Sequence, residues 1–319
     1  MGFAPVEATL EGGAGADTGA HGIAAVSATR RSGDLAVGLA CLLATAICWG
    51  LNWPLIKYLL TQVPPFSMRG FAGLLGAAVA FGFACAGRER LRPPAGQWQP
   101  LIASALLNIA AFMGASTFGM MWLSASEAVI IAYTMPLWAV LFAWPILHER
   151  PRAARLLALA LGLSGVAVLM GAQPMQASWS KLPGVAIAFT GAWMFGLGTV
   201  LAKRRPPSMP PFASVAWQLV LGSTPFALPA LLEHPHWGAL PGRAWAGLLY
   251  LGMVPMVFAY VTWFRALRLL PAATAAIGTL MVPIVGVFGS ALLLGEPLGL
   301  RQLAALGLTV AGVGLAVRA

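Results

Sequence analysis

Apolar stretches of about twenty residues recur along the whole chain, each closed by a short break of proline, glycine or basic residues. A helix of about 20 mostly apolar residues spans the hydrocarbon layer of a bilayer. The breaks, such as Arg88 to Pro94 and Lys203 to Pro211, are too short to house a second domain. The stretches therefore have to pack against one another inside the membrane. Spans are expected at 35–57, 66–87, 99–122, 125–147 and 153–171, then at 182–202, 212–232, 244–267, 271–294 and 298–317. Composition agrees: 59% of the 319 residues are hydrophobic and 9% charged, against roughly a quarter charged in a soluble domain. The expected fold is an all-α integral membrane protein of ten transmembrane helices, and a conventional soluble enzyme is excluded.

Residues 1–34 read as a flexible cytoplasmic tail. They are rich in Gly and Ala, carry Glu7, Glu11, Asp17 and Asp34, and have no apolar core behind a basic start, so they do not form a signal peptide. Val6 stands where myristoylation after a Met-Gly start needs Ser or Thr. Cys41, Cys48 and Cys85 fall inside apolar runs, as small hydrophobes rather than a disulfide framework.

The net charge of +10 would suggest nucleic acid in a soluble protein. Here its distribution matters more, because Lys and Arg of short loops stay on the cytoplasmic side. With an inner amino terminus that side receives Arg30, Arg31, Arg88, Arg90, Arg92, Arg150, Arg152, Arg155, Lys203, Arg204, Arg205, Arg265, Arg268 and Arg318. These are 14 of the 19 cations, leaving Lys57, Arg69, Lys181, Arg243 and Arg301 outside. The split places both termini in the cytoplasm.

The two halves also align with each other. An offset of 147 superposes Pro136 on Pro283, Leu147 on Leu294, Glu149 on Glu296, Leu156 on Leu303 and Gly165 on Gly312, and an offset of 146 brings Gly50 to Gly196 and Lys57 to Lys203. The units are 35–171 and 182–317. Five spans per unit force the second copy to run inverted, an arrangement that suits alternating access to a midplane site. Pro136 and Pro283, deep in matched spans, are expected to kink them.

The residues ICWGLNWPLIK (47–57), SEAVIIAYTMPLWAVLFAWPILHERP (126–151), ATAAIGTLMVPIVGVFGSALLLGEPL (273–298), WFRALRLLPA (263–272) and LTVAGVGLAV (308–317) resemble the EamA family of the drug/metabolite transporter superfamily. The resemblance covers about 35–317. It implies a secondary carrier of a bacterial inner membrane, commonly an exporter. The superfamily's cargoes include amino acids, sugars, purines, nucleotide-linked sugars and xenobiotics. Two positions depart from the pattern: His148 stands where Gly is usual, and Phe195 where the second copy could have kept the Trp of Trp49-Gly50.

Pocket candidates are the aromatic and neutral polar side chains near the midplane: Trp49, Asn52, Trp53, Asn108, Phe112, Ser116, Tyr133, Trp193, Gln218, Tyr260 and Trp263. Such a set suits a small, partly aromatic or zwitterionic solute. Phosphorylated cargo is disfavoured, because almost all cations sit at span ends. Lys57, Arg69 and Glu127 fall near one membrane face, where they either form a gate of paired charges, with proton coupling through Glu127, or anchor at the interface. Glu149 and Glu296, beside Pro151 and Pro297, are expected to be structural.

The chain has no phosphate loop, nucleophile elbow or Cys/His metal set, so neither cofactor nor metal nor direct ATP coupling is expected. Glu233-His234-Pro235-His236 reads as loop composition. The sequence thus points to a non-enzymatic carrier of a small metabolite whose partners are its solute and the bilayer, with a homodimer left open and no nucleic acid. A lipid flippase of the same superfamily is the alternative, ahead of a membrane-embedded enzyme or a channel.

Overall fold

A computed structural model describes residues 16–123, 125–170, 179–294 and 299–318. Every regular element among them is helical. The first half holds α1 (Ala16–Gly50), α2 (Asn52–Leu59), α3 (Pro65–Ala86), α4 (Trp98–Ser104), a π-helical segment (Ala105–Ala111), α5 (Phe112–Trp122), α6 (Ala125–Ala132), α7 (Met135–Leu147) and α8 (Ala153–Met170). The second holds α9 (Leu182–Arg204), α10 (Pro211–Ala230), α11 (Gly242–Met253), a second π-helical segment (Val254–Phe258), α12 (Ala259–Leu269), α13 (Ala272–Gly278), α14 (Met281–Leu294) and α15 (Leu300–Arg318).

Among the described residues, seven helical stretches are long and apolar enough to cross a membrane: Gly33–Leu59, Pro65–Ala86, Trp98–Trp122, Ile130–Leu147, Trp179–Arg204, Gly242–Leu269 and Leu300–Arg318. Ala153–Val168 and Ala272–Gly286 are apolar but shorter, and α10 carries Pro225 and Pro229 in its interior. Helix α1 extends back to Ala16, into the stretch expected as a tail, where alanines at 16, 20, 24, 25 and 28 favour the helical state. Large apolar side chains such as Leu43, Ile47, Met121, Trp144, Leu157 and Val310 point outward. That surface suits lipid rather than water.

Helix α3 lies along α10 and α8 along α15, while α9 packs on α5 and α7, and α1 on α12 and α14. Exchanging each helix for its counterpart in the other half converts one set of contacts into the other. The α8–α15 crossing rests on glycines, since a Cβ at Gly312 would stand 2.6 Å from the Ala158 carbonyl oxygen and one at Gly165 would overlap Thr309 Oγ1. Small residues let two helix backbones approach where lipid supplies no hydrophobic drive between them.

Helix ends are capped across the halves. Phe66 and Ser67 N–H groups donate to Glu233 at 3.2 and 2.6 Å, and the Ala213 N–H donates to Glu89 at 2.8 Å. Each carboxylate sits three residues beyond the last residue of α10 or α3 and neutralises the positive end of the other helix. Lysines cap the opposite pole, each within its own half. Lys57 Nζ donates to the carbonyls of Met120 and Leu123 at 3.0 and 3.5 Å, and Lys203 Nζ to those of Leu267, Arg268 and Leu270 at 2.8, 3.2 and 2.8 Å. The targets are the C-terminal carbonyls of α5 and α12, which have no partner within their own helix.

Pro136 and Pro283 mark interruptions rather than bends. The chain leaves the helix at Tyr133–Thr134 and again at Thr279–Leu280, and the two prolines fall in the first turns of the succeeding helices, α7 and α14. A missing N–H costs nothing there. His148 closes α7 with φ 58° and ψ 22°, and the next N–H returns to Ala143 O at 3.2 Å. This is the left-handed position that favours glycine. Glu149 pairs with Arg155 at 3.7 Å, whereas Glu296 lies outside the described residues.

Two substitutions test these features. His148→Gly relieves a left-handed side chain and is expected to stabilise the protein by about 0.5–1 kcal/mol, read as a higher midpoint of thermal unfolding in detergent. Gly312→Val pushes α8 and α15 apart and is expected to cost about 1–3 kcal/mol in the same measurement.

Candidate functional site

The α1–α2 break, the α6–α7 interruption and the second π segment converge on one small cavity. Trp49, Asn52, Trp53 and Ile56 come from the α1–α2 junction, where the helix breaks at Leu51 and the ring nitrogen of Pro54 has no hydrogen to donate. Arg69 enters from the first turns of α3, and Phe112, Met113 and Ser116 from α5. Tyr133 and Met135 flank the α6–α7 interruption. Met256 belongs to the second π segment and Tyr260 to α12. The cavity measures about 30 Å³, room for a water or two.

Seven of the eleven pocket candidates, namely Trp49, Asn52, Trp53, Phe112, Ser116, Tyr133 and Tyr260, line this space together. Their rings form a continuous wall. Trp53 meets Tyr133 at 6.4 Å and Phe112 at 6.5 Å between centroids; Phe112 meets Phe195 at 4.9 Å, and Trp49 meets Tyr260 edge-on at 5.5 Å. Trp263 is wholly buried behind them, 5.9 Å from Trp49 and 5.7 Å from Phe195. The other three candidates lie apart. Asn108 donates to Ser104 at 3.3 Å, and Gln218 accepts from Ser104 and donates to Ser214, so both knit α10 to the first π segment. Trp193 faces outward against Phe142.

The π segments contribute carbonyls. Widening a turn leaves backbone acceptors without their usual helical donors, and aromatic side chains at the cavity take two of them. Trp49 Nε1 donates to Pro255 O at 3.2 Å, and Tyr260 OH to Asn108 O at 3.0 Å. Asn108 and Pro255 are equivalent positions of the two halves, 147 residues apart. Phe195, the counterpart of Trp49, has no N–H to give, and the Tyr260 hydroxyl serves the matching carbonyl in its place.

The three charged candidates separate. Lys57 caps α5, Glu127 forms an ion pair with Lys181 at 2.7 Å, and Arg69 is 1% exposed with its guanidinium turned to α5. It donates to Ser116 Oγ at 3.1 Å and, through Nε, to Thr117 Oγ1. Among the described residues no carboxylate stands within 4.0 Å of it. In place of one outer cluster, the structure has an end cap, a part-buried ion pair and one buried cation in the cavity wall.

The profile of the EamA-like transporter family matches this chain twice, over 36–171 and over 182–318. The chain belongs to the EamA-like transporter family. It is 31% identical to the uncharacterized transporter YvbV of Bacillus subtilis, over 84% of this chain and 87% of that one. It is 28% identical to a probable amino-acid metabolite efflux pump of Salmonella typhimurium, over 89% and 94% respectively. It is also 28% identical to the aromatic amino acid exporter YddG of Ancylobacter novellus, over 70% and 80%. A crystal structure shares the fold at TM-score 0.76 and 23% identity, covering 90% of this chain and 98% of that one. Membership makes this a multi-pass membrane transporter of small molecules.

Several EamA-like cavity residues escaped sequence reasoning. Ile56, Met113, Met135 and Met256 give no signal that distinguishes a lining residue from a packed one. Glu89 and Glu233 were legible in principle, because Pro-Pro-Phe recurs at 64–66 and 210–212 and each glutamate stands at the same distance beyond the opposite helix. Tyr260→Phe removes the hydroxyl's bond to the buried Asn108 carbonyl. The expected cost is about 0.5–1.5 kcal/mol of thermal stability, and Trp49→Phe should match it at Pro255.

Proposed function

We propose that this EamA-like protein is a ten-span secondary carrier that exports a small metabolite, an amino acid or a close relative, by alternating access. The observation that carries the reading is the cavity. Discontinuous helices, π-segment carbonyls, a shell of aromatic rings and one guanidinium meet around one small space, the broken-helix setting in which secondary carriers build a midplane site. The two five-helix units are 35–171 and 182–317, the second inverted. The exchangeable packing, the reciprocal glutamate caps and the paired lysine caps support that relation. The names of the Salmonella and Ancylobacter relatives support the cargo class. The distribution of cations supports cytoplasmic termini, with residues 1–34 as the cytoplasmic tail, and an inner-membrane location.

Each lysine pins a helix end belonging to its own opening. Lys57 holds α5 at one end of the bundle and Lys203 holds α12 at the other. Opening toward either side loosens one cap while the other persists. Glu127 and Lys181 add a contact between α6 and α9 at the Lys57 end, and protonation of Glu127 releases it.

The full-length protein in proteoliposomes tests this reading. Vesicles preloaded with unlabelled tryptophan should take up labelled tryptophan with saturable kinetics and at a rate raised several-fold by the preload. Uptake that rises linearly with concentration and ignores the preload overturns the carrier reading, and lipid scrambling without solute flux would indicate a flippase. Glu127→Gln is expected to remove any dependence of exchange on an imposed pH gradient.

A further inference from the structure

We propose that Arg69 and Asn52 form the subsite for an α-amino acid head group, Arg69 taking the carboxylate and the Asn52 side-chain oxygen taking the ammonium. The inference deepens the carrier reading and rests on it only for the idea that the bound molecule is cargo.

Arg69 is the starting point. A guanidinium stays charged at any physiological pH and carries five N–H donors in a planar fork. Here it is 1% exposed inside a helical bundle, and it donates to two hydroxyls, those of Ser116 and Thr117. Hydroxyls satisfy donors but leave the charge unneutralised, and no described carboxylate does so. A buried cation in a membrane normally pairs or marks a solute path. A glutamine, which ends at the level of the arginine Nε, could hold the Thr117 hydroxyl and pin α3 to α5 without the cost of burying charge. The other cation near this end, Lys57, is already engaged by the Met120 and Leu123 carbonyls. Arg69 is therefore the cation that addresses the cavity.

Asn52 supplies the complement. Its Oδ1 is buried without a donor, and the residue lines the same cavity as Arg69. An unpaired buried acceptor is costly, so its place in a cavity wall points to a donor that arrives with the ligand. The remaining walls, Trp49, Trp53 and Tyr133, offer ring faces that stabilise an ammonium and accommodate an apolar side chain. A fixed cation, an orphan acceptor and aromatic faces match a molecule bearing carboxylate, ammonium and an apolar remainder. A phosphate dianion would leave Asn52 unserved and one charge uncompensated. A simple amine would meet an unneutralised Arg69.

Three probes of one ring system separate the features in the intact, detergent-purified protein: L-tryptophan, tryptamine, which lacks the carboxylate, and indole-3-propionate, which lacks the ammonium. Binding of each tritiated probe is measured by scintillation proximity, beside counterflow in vesicles. Wild type is expected to bind tryptophan about 10- to 100-fold more tightly than tryptamine. Arg69→Gln should abolish that preference while Arg69→Lys keeps part of it. Asn52→Leu should bring indole-3-propionate up to the tryptophan level. Equal binding of tryptophan and tryptamine by wild type overturns the proposal and depends on no variant folding. Failure of wild type to bind tryptophan does so as well, as does an unchanged preference in a folded Arg69→Gln. Binding in the expected pattern without counterflow would sink the carrier reading and leave the subsite standing. Counterflow that ignores Arg69 does the reverse.

Discussion

Backbone groups that lose their helical partner must find another one, because a bilayer interior offers no water to take them. In this chain much of that demand is met across the two halves. Glu89 and Glu233 accept from the first N–H groups of α10 and α3, and Trp49 and Tyr260 donate to a carbonyl in the π segment of the other half, while Lys57 and Lys203 donate to the last carbonyls of α5 and α12 within their own halves. Neither half satisfies all of its own backbone. Packing between halves is thus enforced by hydrogen bonding as well as by the glycine-lined crossings.

The same logic explains the aromatic wall. A π segment or a broken helix is tolerable only where its loose carbonyls meet donors, and a tryptophan or tyrosine brings a donor on a large apolar body. Trp49 and Tyr260 fill space and satisfy backbone together, so the residues that make the interruption possible also enclose the cavity it creates. Arg69 stands outside this scheme. Its hydroxyl partners account for its hydrogen bonds but not for its charge.

Much of the architecture was legible in the chain. Apolar run length gave helices near the observed limits. Lys57 and Lys203 were visible as equivalents, though their carbonyl targets were not, since a cap depends on where a distant helix stops. The cavity was read in part. Trp49, Asn52 and Trp53 announced themselves by density around a proline, while Asn108, Gln218 and Trp193 carry the same chemistry but point into a packing network or toward lipid. Residue type alone does not decide which side of a helix faces a cavity when helices are apolar all round. Arg69 read as a gate or interface residue from its place near one membrane face; the packing of α3 against α5 and α10 turns it inward.

The replacement at Phe195 breaks the equivalence of the two halves at the cavity itself. Two open states related by a perfect two-fold would have equal energy. Here one π-segment carbonyl is held by an indole of α1 and its counterpart by a phenol of α12. In a carrier that works by the alternating access proposed above, the two closures would then cost different amounts and the free protein would favour one orientation. A solute approaching from the less populated side would meet a weaker apparent affinity, scaled by the fraction of molecules open to it, and transport would saturate at different concentrations on the two faces of the membrane. A ring that merely lacks one N–H would be enough to set that difference.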